Sequence, residues 1–80
     1  MLQTVFAQQS IVDGLKLFEE KQFNKAIKVF EEILKNDQAN ITAINALADA
    51  HNKLGNTPAT IQLYKRSLKI QENQPGTWLA

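Results

Sequence analysis

Few side chains in this chain can move a proton, hold a metal or attack a carbon, so the count itself decides which chemistry is open. His51 is the single histidine, and the 80 residues contain no cysteine. A thiolate nucleophile, a thiolate zinc site and a disulfide framework are therefore closed. A serine–histidine–acid set needs three converging groups, and nothing in the pattern around His51 suggests one. Glu19–Glu20 and Glu31–Glu32 are paired carboxylates by type, but each pair is adjacent in sequence. Adjacent side chains on a helix point apart, so neither pair can share a proton or a water. Asp49 and His51 stand two apart, a spacing that sends two would-be metal ligands in different directions. The three glycines are scattered and make no loop able to cradle a phosphate. This inventory predicts no enzyme, no metal and no cofactor.

Charge and length narrow the partners. The net charge is +1, which supplies no basic field for nucleic acid or an anionic membrane. The opening "MLQTVFAQQS" has neither a basic start nor a long apolar run, so it reads as neither a signal peptide nor a membrane span. The absence of cysteine is compatible with a reducing, cytoplasmic setting. Eighty residues make one small domain that buries only about 60% of its unfolded surface.

What could position binding residues is a set of helices. Apolar residues recur at spacings of three and four, and no stretch alternates like a strand. The pattern predicts helices at 4–20, 24–36, 41–54 and 58–71, with a fifth beginning at 75. In the second, Ala26, Ile27, Phe30, Ile33 and Leu34 form one stripe, with Asn24 as its cap. On its charged face, Lys28 with Glu32 and Glu31 with Lys35 are four apart, where opposite charges help slightly. In "NKLGNTPAT", Gly55 suits a left-handed helix end, Thr57 a cap and Pro58 a first helical position. "EKQFN" makes a similar turn without a glycine.

The helical pairs repeat. Laying residues 7–40 over 41–74 brings Ile27 onto Ile61, Leu34 onto Leu68 and Lys35 onto Lys69. Gly14 meets Ala48, Val29 meets Leu63 and Phe30 meets Tyr64. A 34-residue period of paired helices resembles the tetratricopeptide repeat. That family has small residues midway along the first helix and early in the second, and an aromatic four positions later. Gly14, Ala26 and Phe30 supply all three in the first repeat; Ala48 and Tyr64 supply two in the second, where Thr60 replaces the usual alanine. In "QENQPGTWLA", Pro75 falls at the start of a third period and Trp78 at its fourth position, where the family often has Trp. The resemblance implies an all-α fold of antiparallel helical hairpins stacked as a right-handed α-solenoid. Its parts would be an N-terminal extension of the first helix (1–6), two repeats (7–40 and 41–74) and the start of a truncated third (75–80). The chain is expected to be a fragment of a longer protein. Ser10 and Asp13 depart from the family's large apolar residues, as a terminal repeat's would; an array continuing upstream is the alternative.

By resemblance, the first helix of each pair lines a concave surface. The implied groove is Gln8, Ile11, Val12, Leu15 and Glu19 from the first repeat, and Thr42, Asn45, Ala46, Asp49, Asn52 and Lys53 from the second. The expected function is a non-catalytic scaffold binding a peptide segment or partner protein there, with apolar anchors in one repeat and backbone contacts in the other. Two alternatives stay open: that Ile11, Val12 and Leu15 only pack against Phe6, Phe18 or a neighbouring chain, and that the domain positions an enzyme or secretion component encoded downstream. Some family members grip the carboxylate tail of heat-shock chaperones with Lys, Asn and Arg. The matching positions here are Ile11, Leu15, Ala46, Gly76 and Ala80, none of which donates a side-chain hydrogen bond, so no chaperone-tail binding is expected. Trp78 and Leu79, with the outer face of the helix at 58–71, are expected to pair two copies of the chain into a homo-oligomer.

Overall fold

The computed structural model describes residues 2–72, with side chains from residue 10 onward. Four helices follow in order: α1 (Leu2–Glu19), α2 (Phe23–Asn36), α3 (Ile41–Lys53) and α4 (Thr57–Glu72). No strand occurs among the described residues. The fifth helix expected from 75 lies outside them.

The two hairpins close with turns of one design. At the end of α1, the Lys21 N–H donates to the Phe18 carbonyl and the Gln22 N–H to the Leu17 carbonyl. At the end of α3, the Gly55 N–H donates to Asn52 and the Asn56 N–H to His51. This is the Schellman arrangement, which requires one left-handed residue. Gly55 fills that role at φ 80° and Lys21 at φ 63°; the two stand one 34-residue period apart. In the first hairpin, Phe18 and Phe23 pack edge to face across the turn, ring centroids 5.2 Å apart.

These turns correct two expected caps. Asn24 does not cap α2: the chain enters that helix directly from the turn, Gln22 holds the cap position without a side-chain bond, and Phe23 is already helical. Thr57 is the first residue of α4 rather than its cap, because the Asn56 carbonyl already accepts from the Thr60 N–H. Pro58 therefore sits second, still within the first turn where its missing N–H costs nothing. Asn40, which the sequence pattern did not single out, caps α3 by accepting from the Ala43 N–H at 3.1 Å.

The core lies between α2 and α3. Ala26, Phe30, Ile33 and Leu34 of α2 cluster with Ala43, Ile44, Ala46 and Leu47 of α3. Helix α3 touches α1, α2 and α4, which explains why alanines bury more than one of its faces: Ala48 and Ala50 are enclosed too. Helix α4 packs on α3 alone among the described elements. It buries only Thr60 and Ser67 fully, with Leu63 and Ile70 half-buried against the core. Thr60, in the family's usual alanine position, keeps its hydroxyl satisfied 2.9 Å from the Asn56 carbonyl and 3.4 Å from the Ala48 carbonyl. Arg66 ties α4 to the α2–α3 turn by donating to the Gln38 carbonyl at 2.7 Å.

On the charged face of α2, neither Lys28–Glu32 nor Glu31–Lys35 forms. Lys35 instead approaches Glu32 at 3.8 Å, with both side chains largely in solvent. Neighbours three and four apart on a helix are nearly equivalent partners, and exposed pairs are too weak to select between them.

Candidate binding groove

Helices α1 and α3 lie side by side and leave a cleft of about 290 Å³ between them. Leu15 and Phe18, three apart on α1, form one wall; Thr42, Asn45, Ala46 and Asp49 of α3 form the other. The spacings of three, four and seven along α3 put its four residues on one face. Ala46 is buried at the base, whereas Thr42 and Asp49 are exposed at the rim. The walls differ in chemistry: apolar from α1, hydroxyl, amide and carboxylate from α3.

The carboxylate is held in place. Tyr64 of α4 reaches across and donates its hydroxyl to Oδ1 of Asp49. That hydrogen bond raises the Tyr64 phenol above its usual pKa of 10.0, with burial and the Asp49 charge adding in the same direction.

The structure brings together Leu15, Thr42, Asn45, Ala46 and Asp49 of the residues assigned to the groove. Ile11 is half-buried and packs on the core, while Val12 is 60% exposed beside the cleft rather than in it. Glu19, Asn52 and Lys53 are exposed and outside the lining. Gln8 lies in the part of α1 whose side chains are not described, and Trp78 and Leu79 lie outside the described residues. Two contributors escaped the sequence reading. Phe18 entered it only as a packing residue, though its spacing of three from Leu15 places it on the same face. Tyr64 comes from a helix that lines no groove in the expected arrangement, and no local spacing links it to Asp49.

Other features of the surface are simpler. His51 is half-buried near the end of α3, with Nδ1 3.3 Å from Asn56 Nδ2. A second cleft of about 340 Å³ lies where α4 meets the α2–α3 turn, lined by Gln38, Ala39, Arg66, Lys69 and Ile70. Among the described residues, no three metal-ligating side chains converge and no helix is long and apolar enough to cross a membrane.

The two repeats are not covered alike. Phe30 is 0% exposed and Leu34 8%, but Tyr64 and Leu68, one period later, are 37% and 58% exposed. Helix α3 covers the first pair; no described element covers the second.

A sequence profile of the tetratricopeptide repeat matches residues 17–79. No curated protein and no solved structure matches the chain.

Proposed function

The chain belongs to the tetratricopeptide-repeat family, a family of protein–protein interaction modules, and from that premise we propose that it is a non-catalytic scaffold whose α1–α3 groove takes a segment of a partner protein. The observation that carries this reading is the cleft itself, with an apolar wall facing a polar one. At about 290 Å³ it is slightly below the ~300–1,000 Å³ of sites that enclose small molecules, a size suited to one or two anchoring side chains. Leu15 and Phe18 offer apolar contact. Thr42 and Asn45 offer donors and acceptors for the backbone of an extended segment, as peptide grooves require. The boundaries 7–40 and 41–74 belong to the same proposal; the left-handed Lys21 and Gly55, one period apart, support them.

A carboxylate tail is a poor occupant. The groove positions Leu15 and Ala46 carry no cation, and Asp49 adds a negative charge beside them. An acidic chaperone-tail peptide would lose its water and gain no counter-charge. Calorimetry with such a peptide should show no binding, and a micromolar, salt-sensitive affinity would overturn this.

The groove is tested by selecting random peptides displayed on phage against the folded chain and against Leu15→Glu. Leu15 is 41% exposed, so the substitution should leave the circular dichroism unchanged while abolishing binding of the selected peptides. Failure to enrich any peptide, or peptides that bind Leu15→Glu equally well, would sink the groove.

A further inference from the structure

We propose that the groove selects a segment carrying a lysine or arginine adjacent to an apolar side chain; this rests on the groove reading above and adds the chemistry of the occupant. Of the six described side chains that line the cleft, Asp49 alone is charged. Glu19 and Lys53, the other charged residues assigned to this face by sequence, do not line it. The Tyr64 hydroxyl occupies Oδ1 of Asp49. That tether holds the carboxylate through one oxygen and leaves Oδ2 without a protein partner among the described residues. Oδ2 is therefore a fixed acceptor at the rim of a cleft whose base is the buried Ala46.

A fixed carboxylate beside an apolar wall discriminates between occupants. A segment with Asp or Glu here meets a like charge, and a neutral segment leaves Oδ2 to water. An ammonium or guanidinium gives a charge-assisted hydrogen bond, stronger than its neutral counterpart. The opposite wall, Leu15 and Phe18, takes an aliphatic or aromatic side chain. Successive side chains of an extended segment point to opposite sides. Two neighbouring residues, one basic and one apolar, can therefore reach the α3 and α1 walls together. Thr42 and Asn45, beside Asp49 on α3, are placed for the backbone between them.

The experiment extends the phage selection to a third target, Asp49→Asn. Asparagine keeps an oxygen that can accept from Tyr64, and position 49 is exposed, so the fold should persist. Wild-type chain should enrich Lys or Arg next to Leu, Ile, Phe or Met. A synthetic peptide of the enriched sequence should bind Asp49→Asn roughly tenfold more weakly, the scale of one charge-assisted bond at a partly exposed site. Replacing its basic residue by norleucine should cost the same factor against wild type and nothing further against Asp49→Asn. The norleucine comparison on wild type needs no variant to fold. Enriched peptides that need Leu15 but carry no basic residue, or that ignore the norleucine change, would overturn this inference and leave the groove standing. Peptides indifferent to Leu15→Glu would remove the groove and this inference together.

Discussion

A Cβ built on Gly14 would stand 2.5 Å from Cε1 and 2.7 Å from Cζ of Phe30, so α1 and α2 meet where a bare backbone faces an aromatic ring. Phe30 is fully buried and cannot swing away without opening the core. Alanine would gain about 1 kcal/mol of helix propensity over glycine, but overpacking a filled site costs about 1–3 kcal/mol. Gly14→Ala should therefore lower stability in urea denaturation. Phe30→Leu in the same chain should make the alanine less harmful than it is alone, because the two sites share one space. A stabilised Gly14→Ala would show that the ring yields freely.

The two left-handed residues give a matched pair. Gly55 at φ 80° has no neighbour within 4 Å of an added Cβ, so Gly55→Ala isolates backbone strain and should cost about 1 kcal/mol. Lys21 already bears such strain at φ 63°. Lys21→Gly relieves it but gives the unfolded chain more freedom, for a net gain of up to about 1 kcal/mol. Denaturation midpoints should move in opposite directions, and parallel shifts would contradict the shared turn design.

Tyr64 is the only tyrosine, so absorbance near the phenolate band reports it alone. Its pKa is raised by the hydrogen bond to Asp49, by burial and by the Asp49 charge. The native state thus holds the proton more tightly than the unfolded chain does. The stability this contributes is present in full below the unfolded value near 10 and is lost as pH rises through the folded one. Asp49→Asn should lower the titration midpoint of folded protein towards the ordinary value, since it removes the charge and weakens the acceptor. An unchanged midpoint would mean that Tyr64 and Asp49 do not meet in solution.

The order of helices was legible because the signals were local and redundant. The stripe Ala26–Phe30–Ile33–Leu34 is buried as its spacing demands, and Gly14 and Phe30 face each other. Helix starts were less legible. Asn24 has the right type for a cap, yet the Lys21 turn puts Phe23 into the helix first. Lys21 gave no sign of its left-handed backbone, since lysine is not a residue that seeks one. In the groove, Leu15, Thr42, Asn45, Ala46 and Asp49 were legible only through the resemblance, which implies that the first helix of each repeat lines the concave face. The Tyr64–Asp49 bond depends on how α4 leans against α3, which no periodicity encodes.

The outer face of α4 carries the last expectation. Ile61, Tyr64 and Leu68 stand one period after Ile27, Phe30 and Leu34, and all three are at least 37% exposed. The corresponding face of α2 is covered by the next repeat, whose Ile44 and Leu47 on α3 share the core with Phe30 and Leu34. A second copy cannot offer α1 in that role. Its residues at the positions of Ile44 and Leu47 are Ser10 and Asp13, and burying an unpaired carboxylate is costly. Head-to-tail stacking is thus disfavoured, and pairing of α4 with α4 about a two-fold axis is the arrangement expected. Trp78 and Leu79, assigned by sequence to this contact, lie outside the described residues; Trp78→Ala tests them directly. Sedimentation at about 100 μM, well above a micromolar dissociation constant, should show a monomer–dimer equilibrium. Leu68→Glu, at a position 58% exposed, should abolish it without lowering stability, and Trp78→Ala should weaken it, because buried aromatics carry much of an interface's energy. A monomer at every concentration, or a dimer indifferent to Leu68→Glu, would refute pairing through this face.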